Sequence, residues 1–476
     1  MSAHDAQAVI LAAGKGTRMR SARAKVLHPL LGVPLLDHVV RAVQAAGIDP
    51  VTIVVGHQAD AVEAAFGGRG LAFARQDPPL GTGHAVQAAR AQLATYPTRT
   101  VLVINGDVPL LRGETLEALL EAHRAGGAAA TLLSVVLDDP AEYGRVVREP
   151  DGSVRAIVEN KDASAQEKRV HEINAGIYAF ETRPLLEALE QLRPQNAQGE
   201  YYLTDVVGLL RKAGHRVDAL PAADSREALG VNSHSELAAA ARQLRQRRCE
   251  ALMAAGVGIE DPDTTVIGPA VEVEADALLR AFTVLEGRTR VAAGAVVGPF
   301  VRIIDSEVGP GAQILDHSLL RECVVGEGAT VGPFAHVRPE SRIGPRARVG
   351  NFVELKKTQL GDGSKVPHLS YIGDATIGPG VNIGAGTITC NYDGTHKHAT
   401  RIEAGAFVGS DSTLVAPLTI GEGAYIAAGS AITEDVPPGA LALGRARQVI
   451  KKGWAEARRQ QKAGADRGSR GGSGGA

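Results

Sequence analysis

The sequence is poor in the features that would indicate a secreted or membrane-spanning protein. Only three of its 476 residues are cysteine, and Cys249, Cys323 and Cys390 lie far apart, which argues against a disulfide framework and a zinc site. No apolar run approaches the ~18 residues of a membrane-spanning helix. The N-terminus lacks a basic region followed by a long apolar core. We therefore expect a cytoplasmic protein in a reducing compartment, with no membrane partner.

The chain also lacks an excess of charge of either sign. Its 51 lysines and arginines nearly balance its 53 aspartates and glutamates, for a formal net charge of -2. A nucleic-acid-binding chain typically carries a basic excess, so we expect no nucleic-acid partner. The length is sufficient for about three domains.

Glycine, in contrast, is abundant, and much of it belongs to a six-residue repeat. Between Ile267 and Ile432 the repeat defines 28 positions, with four five-residue steps and one longer break. Thr389 is the only position that is not aliphatic. Glycine immediately follows 13 of these 28 positions. Because glycine makes up 56 of the 476 residues, chance alone would place it after about three of them. Hexapeptide repeats predict a parallel β-helix, in which three units form one coil and glycine allows a sharp corner with positive φ.

The N-terminal region has a different pattern. Apolar runs at 8–11, 52–55 and 101–104 predict buried parallel strands, and the segments between them have helical periodicity. This alternation predicts an α/β domain with a Rossmann-like, doubly wound sheet that binds ligands at the carboxyl ends of its strands.

These patterns predict four segments. Residues 1–232 form the α/β domain, and 233–255 form a linker helix capped by Ser233 or Ser235. Residues 256–450 form the β-helix, and 451–476 form a tail whose glycine-rich part after Gly464 is disordered.

A glycine-rich loop, LAAGKGTRM at 11–19, follows the first predicted strand. Such a loop lets backbone N–H groups approach phosphates. The dinucleotide fingerprint would need glycine at Met19, and the NTPase phosphate loop would need glycine at Val9 and Ser or Thr at Gly16, so both are excluded. A plain turn between strand and helix remains an equal alternative on spacing alone. Asp107, after another strand, either begins a turn or offers Mg²⁺ a hard oxygen ligand.

Several short segments together resemble the sugar-nucleotide pyrophosphorylases. They are LAAGKGTRM, KVL at 25–27, GVP at 32–34, Gln76, LGTG at 80–83, NGD at 105–107, YGR at 143–145, IVE at 157–159, INAG at 173–176 and VN at 231–232. The resemblance implies that Asp107 and Asn232 hold Mg²⁺ and that Arg18 and Lys25 stabilise the triphosphate. The remaining residues that it implies for the nucleotide sugar are Leu11, Ala12, Ala13, Gly14, Gln76, Gly81, Thr82, Asn105 and Gly106, with Gly144, Glu159 and Asn174 at the sugar.

The β-helical repeat is either an assembly module or a catalytic domain, and chemistry is expected where the repeat is interrupted. The clearest interruption is NYDGTHKHA at 391–399, which predicts a loop leaving the wall. Its two histidines, His396 and His398, suggest a metal, but nothing else with ligand spacing is nearby, so we reject a metal site there.

Four C-terminal segments resemble the acetyltransferase half of the bifunctional N-acetylglucosamine-1-phosphate uridylyltransferases and glucosamine-1-phosphate acetyltransferases. They are NFVELKK at 351–357, HLSYIGDATIG at 368–378, VNIGAGTITCNYDG at 381–394 and FVGSDSTLVAP at 407–417. The combined resemblance extends from Leu11 to Arg445. It implies a left-handed β-helix and a homotrimer with acetyltransferase sites between neighbouring chains.

The resemblance also implies roles for individual residues. His368 is the expected general base, for which an imidazole is suited because its pKa lies near working pH, and Glu354 is a candidate to orient it. Arg338 and Lys356 are expected at the sugar phosphate, and Tyr371, Asn382 and Asn391 around the sugar. The residues expected at acetyl-CoA are Ala385, Asn391, Tyr392, Ser410, Ala428 and Arg445, with Lys397 at its phosphates.

The expected function is synthesis of UDP-N-acetylglucosamine. Glucosamine 1-phosphate is acetylated by acetyl-CoA, and the resulting N-acetylglucosamine 1-phosphate reacts with UTP in the presence of Mg²⁺ to release pyrophosphate. One alternative is a single-activity nucleotidyltransferase whose β-helix serves only oligomerisation. Another is a regulatory subunit without activity.

Overall fold

The structure, a computed structural model, describes residues 5–469. The chain divides between Asp305 and Ser306 into two compact units, called unit 1 and unit 2.

Unit 1 begins with an α/β fold. In chain order its strands are β1 (Ala6–Ala12), β2 (Pro29–Leu30), β3 (Val33–Pro34), β4 (Val51–Val55), β5 (Ala72–Arg75), β6 (Thr100–Asn105), β7 (Ala130–Val136), β8 (Arg145–Arg148), β9 (Val154–Val158), β10 (Glu172–Glu181) and β11 (Val217–Pro221). Its α-helices are α1 (Leu35–Ala45), α2 (Ala59–Phe66), α3 (Thr82–Ala88), α4 (Arg90–Ala94), α5 (Gly113–Gly126), α6 (Thr182–Gln191), α7 (Asp205–Lys212) and α8 (His234–Ala254). Short 3-10 helices cover Thr17–Met19, Lys25–Leu27, Glu167–Arg169 and Ser225–Ala228.

The three strands predicted from apolar runs are adjacent in the centre of the main sheet. The sheet order is β11-β7-β10-β6-β1-β4-β5, and a hairpin of β8 and β9 joins the edge of β10. Strand β1 pairs in parallel with both β4 and β6, so the carboxyl ends of all three meet at one edge. Strand β10 runs antiparallel to both of its neighbours, so the sheet is mixed rather than wholly parallel.

Helix α8 begins after Ser233, the first of the two predicted caps. The Ser233 hydroxyl accepts the N–H of Glu236, and the Glu236 carboxylate accepts the N–H of Ser233, a reciprocal capping box. The far end of α8 packs on the first β-helical coils, where the Arg248 guanidinium donates to the carbonyl of Val271 over 2.5 Å. These coils therefore belong to unit 1.

The β-helical strands are short and pair only in parallel. In unit 1 they are β12 (Gly258–Ile259), β13 (Val266–Ile267), β14 (Glu272–Val273), β15 (Leu278–Leu279), β16 (Val284–Glu286), β17 (Arg290–Val291), β18 (Val296–Val297) and β19 (Arg302–Ile304). They form the rows β12-β15-β18, β13-β16-β19 and β14-β17.

Unit 2 continues the same pattern and ends in a helix. Its strands are β20 (Glu307–Val308), β21 (Gln313–Ile314), β22 (Leu319–Arg321), β23 (Val324–Val325), β24 (Thr330–Val331), β25 (His336–Val337), β26 (Arg342–Ile343), β27 (Arg348–Asn351), β28 (Glu354–Lys356), β29 (Gln359–Leu360), β30 (Lys365–His368), β31 (Tyr371–Gly373), β32 (Ala375–Ile377), β33 (Asn382–Ile383), β34 (Ile388–Cys390), β35 (Thr400–Ile402), β36 (Phe407–Val408), β37 (Thr413–Val415), β38 (Leu418–Ile420), β39 (Tyr425–Ile426), β40 (Ala431–Ile432) and β41 (Leu441–Ala442), followed by α9 (Trp454–Ser469). The first sheet is β21-β24-β27-β30-β33-β36-β39-β41, the second is β22-β25-β28-β31-β34-β37-β40, and the third is β20-β23-β26-β29-β32-β35-β38.

The repeat positions form the interior, as predicted. All of the 28 except Val273 are buried. Thr389 is buried although it is polar, because its hydroxyl accepts the N–H of Gly373 over 2.7 Å and donates to the carbonyl of the same residue over 3.1 Å.

The glycines that follow the repeat positions have a different cause from the one predicted. Only two of the 13, Gly298 and Gly332, have positive φ. At most of the others the neighbouring coil lies too close for a side chain: a Cβ on Gly361 would lie 2.5 Å from the carbonyl carbon of Gly378, and one on Gly344 would lie 2.8 Å from the carbonyl oxygen of Leu360. These glycines are therefore required by the stacking of coils rather than by the corners.

The sequence predicted no helix in the tail, whereas the structure has α9 over Trp454–Ser469. Residues 465–469 continue α9, whose alanine, arginine and glutamine residues favour helix, so the disordered tail does not begin at Gly464. Residues 470–476, where the remaining predicted disorder falls, lie outside the described residues. Within residues 5–469, no helix is long and apolar enough to cross a membrane.

Candidate active sites

A cleft of about 540 Å³ opens in unit 1 at the carboxyl ends of β1 and β6. It brings together ten of the residues predicted at the nucleotide sugar: Leu11, Ala12, Ala13, Gly14, Lys25, Gln76, Gly81, Thr82, Asn105 and Asp107. It is also lined by Lys15 and Val26, which lie in the quoted motifs but were given no role, and by Pro79, Ala85 and Glu200, which the sequence did not indicate. Glu200 lies at the cleft because its neighbour Tyr201 packs on the LGTG loop. There the N–H of Gly83 donates to the carbonyl of Tyr201 over 2.7 Å.

The loop after β1 holds its shape through Gly16 and Gly106. Gly16 has a φ of +59°, and a Cβ there would lie 2.6 Å from the Cβ of Lys25, so only glycine permits this approach. The N–H of Gly106 donates to the carbonyl of Leu11 over 2.9 Å, which joins the ends of β1 and β6. Because only a 3-10 turn follows the loop, anions there would depend on loop N–H groups and cationic side chains rather than on a helix dipole.

Lys25 links the two predicted metal ligands. Its ammonium forms an ion pair with Asp107 and donates to Oδ1 of Asn232 over 3.0 Å. Asn232 reaches this place because the N–H of its neighbour Val231 donates to the carbonyl of Asp107 over 2.8 Å. Two side chains more than 120 residues apart thus present oxygen atoms to one cation.

This pair of oxygens fits the chemistry of Mg²⁺. Magnesium prefers hard oxygen ligands and is commonly bound by one or two protein groups, with water and phosphate completing its shell. The Lys25 ammonium shows that Asp107 and Asn232 can share one positive charge. Within residues 5–469, no group of three or more His, Cys, Asp or Glu side chains is arranged to hold a metal, so phosphate oxygens would have to supply further ligands.

The Gln76 side chain is fixed at the base of the cleft. Its amide nitrogen donates to the carbonyl of Gly81 over 2.9 Å and lies 3.1 Å from Nδ1 of His84. A carbonyl can only accept, so the amide nitrogen must face Gly81 and the amide oxygen is left as an acceptor. The sequence did not single out His84.

The predicted sugar residues form a second cluster beside the cleft. The N–H of Asn174 donates to the carbonyl of Gly144 over 2.9 Å, and a Cβ on Gly144 would lie 3.3 Å from Oε2 of Glu159. Burial raises the pKa of Glu159, against a hydrogen bond that Thr204 donates over 3.1 Å. A bulge in β10 after Asn174 brings Gly176 against the amide of Asn105 and so connects this cluster to the cleft.

Arg18 is exposed and does not line the cleft. It lies near enough to Tyr143 to influence the pKa of that hydroxyl. Burial raises the pKa of Tyr143, and the positive charge of the Arg18 guanidinium opposes the rise. The structure therefore places Arg18 at the rim, on the side of the predicted sugar cluster.

In unit 2, four predicted residues and Asn351, which the sequence did not single out, follow one another along the corner between the first and second sheets. We call Asn351, His368, Ala385, Ser410 and Ala428 the corner row. Asn351 and His368 are register partners. The carbonyls of His368, Ala385 and Ser410 accept N–H groups from the following coil over 3.4, 2.7 and 2.8 Å. Arg445 lies at the end of the row, where a Cβ on Gly429 would be 3.9 Å from its Cδ.

His368 is exposed at this corner, but the predicted orienting residue is not its partner. Nδ1 of His368 lies 2.5 Å from Oδ1 of Asn351. Glu354 instead accepts from the Arg338 guanidinium over 2.8 Å. Because Nδ1 of His368 faces Asn351, the expectation that Glu354 orients the histidine is wrong for this structure.

A cationic group lies on the second sheet. Lys356 donates to Asp374 over 2.8 Å, and Asn391 donates to the same carboxylate oxygen. The hydrogen bond to Asp374 raises the pKa of Lys356, whereas hydrogen bonding and repulsion from Lys356 lower that of Lys397. Lys397 is thus beside the residue predicted at the sugar phosphate.

The interrupting loop is closed on itself. The Tyr392 hydroxyl donates to the carbonyl of Gly394 over 2.6 Å, and Tyr392 forms a β-bridge with Lys397. His398 lies 2.7 Å from Asp393, whose pKa is lowered chiefly by the N–H of His396 and then by His398.

Tyr371 lies on β31 of the second sheet, while Asn382 lies on β33 of the first sheet, so one chain does not place these two predicted sugar residues on the same sheet.

Comparisons with known proteins identify both halves of the chain. Residues 8–205 match the family model of the MobA-like NTP transferase domain, and residues 322–357 match that of the bacterial transferase hexapeptide (six repeats). The Bifunctional protein GlmU of Heliobacterium modesticaldum is 48% identical over 451 residues, covering 95% of this chain and 98% of the relative. Its namesake from Brevibacillus brevis is 49% identical over 448 residues, or 94% and 96% of the two chains. That from Corynebacterium aurimucosum is 47% identical over 461 residues, or 95% and 94%.

These similarities confirm the predicted fold class, an α/β nucleotidyltransferase domain followed by a left-handed parallel β-helix. They also confirm the predicted pair of transferase activities and do not favour the alternative in which the β-helix serves only assembly. The chain belongs to the family of bifunctional GlmU proteins.

Proposed function

We propose that the two sites carry out successive steps in the synthesis of UDP-N-acetylglucosamine. The corner row of unit 2 would transfer an acetyl group from acetyl-CoA to glucosamine 1-phosphate, and the cleft of unit 1 would transfer a uridylyl group from UTP to the product. The main support is the convergence of ten expected residues on one cleft, together with the contacts of Lys25 to Asp107 and Asn232.

In the acetyl transfer, His368 would accept a proton from the amino group of glucosamine 1-phosphate. The nitrogen attacks the thioester carbonyl carbon, the C–S bond breaks, and coenzyme A leaves as the thiol after protonation of its sulfur. The small side chains of Ala385, Ser410 and Ala428 leave room for coenzyme A along the corner row, and Arg445 is a cation at its end.

The sugar phosphate would lie between Lys356, Lys397 and Arg338. The ammonium groups of Lys356 and Lys397 are close enough to repel each other, and an anion between them would relieve that repulsion. This assignment moves Lys397 from the coenzyme A phosphates, where the resemblance suggested it, to the sugar phosphate. Tyr371 and Asn391 lie on the same side of the β-helix as Lys356: Asn391 shares Asp374 with Lys356, and a Cβ on Gly373 would lie 2.5 Å from the Tyr371 hydroxyl and 2.8 Å from Nδ2 of Asn391.

Asn382 favours a site shared between chains. It lies on the first sheet, whereas Lys356 and Tyr371 lie on the second. We therefore propose a homotrimer in which Asn382 of one chain faces the second sheet and the corner row of its neighbour. Tyr392, which is largely exposed on its loop, would contact coenzyme A in the same interface.

In the uridylyl transfer, the phosphate oxygen of N-acetylglucosamine 1-phosphate attacks the α-phosphorus of UTP and pyrophosphate leaves. Positioning and electrostatic stabilisation dominate such reactions. Lys25 and Arg18 would stabilise phosphate charge, Gln76 and Gly81 would hold the base, and the cluster of Gly144, Glu159 and Asn174 would hold the sugar. Mg²⁺ held by Asp107 and Asn232 would supply neutralisation of the triphosphate charge.

The proposed substrates are cytoplasmic metabolites, and the three cysteines of the chain carry free thiols, so we place the enzyme in the cytoplasm. The test is an assay of the purified chain with glucosamine 1-phosphate, acetyl-CoA and UTP, in which thiol and pyrophosphate release are measured separately. With Mg²⁺ both should be released, and with EDTA only the thiol. Thiol release that required Mg²⁺, or pyrophosphate release that did not, would contradict the assignment of the two sites.

A further inference from the structure

We propose that Asn351 is the positioning residue of the acetyl-transfer site. Its amide oxygen accepts the Nδ1–H of His368 and so holds the ring in the tautomer whose Nε2 carries no proton. The inference rests on the proposed function, in which Nε2 of His368 takes a proton from the substrate amine.

The β-helix itself brings the two side chains together. Asn351 ends β27 and His368 ends β30, and the two residues are register partners in consecutive coils of the first sheet. The N–H of Leu369 donates to the carbonyl of Asn351 over 3.0 Å, which fixes the backbone at this corner. The side chains leave neighbouring backbone positions in the same direction and meet at 2.5 Å. Among residues 5–469, no other side chain makes a hydrogen bond with the His368 imidazole, while the Ser370 hydroxyl donates to the His368 backbone carbonyl over 2.8 Å.

An amide at this place differs from a carboxylate in one useful respect. Both accept from Nδ1–H and fix the tautomer. A carboxylate also favours the protonated ring, because an opposite charge within about 4–6 Å stabilises the charged form. A neutral amide orients the ring without this effect, so more of the histidine stays unprotonated at a given pH. Glu354, the nearby acid in the sequence, is occupied by Arg338.

The orientation of the Asn351 amide decides the chemistry. If its oxygen faces Nδ1, the exposed Nε2 is a base. If its nitrogen faced Nδ1, the ring proton would lie on Nε2 and no base would face the substrate. Aspartate at 351 can only accept, so it reproduces the first arrangement and not the second.

The experiment measures both activities of the full-length chain carrying Asn351→Leu, Asn351→Asp, His368→Ala or Gln313→Leu. Leucine has nearly the shape of asparagine and cannot accept. We expect Asn351→Leu to lower kcat for acetyl transfer by about 10- to 100-fold, the range typical of residues that orient a ligating or catalytic histidine. KM for both substrates should stay within about twofold, since the residue fixes a tautomer rather than binding substrate.

We expect Asn351→Asp to retain most of kcat at its optimum and to move the acid limb of the pH–rate profile about one pH unit upward, because the carboxylate favours the protonated ring. Gln313→Leu removes an exposed amide from β21 in the same sheet and should leave both activities unchanged. Pyrophosphate release from UTP should be unaffected in all four variants.

Three outcomes would overturn the inference. If Asn351→Leu has the kcat and pH profile of the unmodified enzyme while His368→Ala has lost acetyl transfer, Asn351 does not position the base although His368 is the base. If Asn351→Asp loses as much kcat as Asn351→Leu, and its residual activity shows no upward shift of the acid limb, the loss is structural. If His368→Ala retains acetyl transfer, the proposed function of this site is wrong, and the role of Asn351 is wrong with it.

Discussion

Replacing Thr389 by valine should destabilise the β-helix, although it brings the position closer to the aliphatic pattern of the repeat. The Thr389 hydroxyl is buried and bonds both the N–H and the carbonyl of Gly373 in the preceding coil. Valine has nearly the same shape but can neither donate nor accept. The substitution therefore leaves two backbone groups unpaired in the interior.

The size of the effect follows from these two bonds. A buried polar group left without a partner costs about 1–3 kcal/mol. The carbonyl keeps a second lone pair and loses less than the N–H, and the added methyl group gives back less than ~1 kcal/mol of apolar burial. The net destabilisation is then about 2 kcal/mol, which corresponds to roughly a 30-fold change in an equilibrium constant.

Hydrogen exchange of the Gly373 N–H is the appropriate measurement, because it reports local opening and does not require two-state unfolding of two units. Exchange at Gly373 should be about 30-fold faster in Thr389→Val than in the unmodified chain. Thr389→Ser keeps the hydroxyl and should retain slow exchange. If Thr389→Val protected Gly373 as well as threonine does, the hydroxyl would be dispensable and the explanation of this exception to the repeat would be refuted.

The remaining predictions concern burial. Burial raises the pKa of Glu159, so the folded state holds its proton more tightly, and stability should fall as pH rises from the ordinary carboxyl value of about 4.3 toward the raised one. Glu159→Gln should remove this pH dependence of stability, raise the thermal midpoint at neutral pH and increase KM for the sugar phosphate. An unchanged midpoint would show that burying the ionised Glu159 carboxylate does not destabilise the fold. Gly361→Ala should destabilise unit 2 by about 1–3 kcal/mol by overpacking, measured as a lower midpoint, because its Cβ would lie 2.5 Å from Gly378. The matched change Gly208→Ala, which meets no atom within 4 Å, should be neutral or stabilising.

The parts of the structure that the sequence predicted are those with a simple period. The inward positions of the β-helix were predicted one by one because each coil repeats the same geometry. The strands at 8–11, 52–55 and 101–104 were predicted because burial on both faces gives an unbroken apolar run. The sequence limited the N-cap of α8 to two candidate serines, because capping depends only on residues adjacent in the chain.

The parts that the sequence did not predict depend on distances between coils or strands. Asn351 looks like an ordinary polar residue, and only the coil register shows that it meets His368. The glycines after the repeat positions were assigned to corners, whereas their cause is the backbone of the next coil, which has no local signature. The resemblance suggested Lys397 for the coenzyme A phosphates, a prediction that stays open; its closeness to Lys356 could not be inferred from the sequence, because its loop has no period.

The separation of the two activities is the most direct test of the central claim that one chain carries two independent active sites. Asp107→Asn and His368→Ala should be assayed singly for thiol release and for pyrophosphate release. We expect Asp107→Asn to lose pyrophosphate release by about 100-fold or more while retaining thiol release, and His368→Ala to show the reverse, since each residue lies in its own unit. A single substitution that abolished both activities in a chain that remains folded would contradict two independent sites.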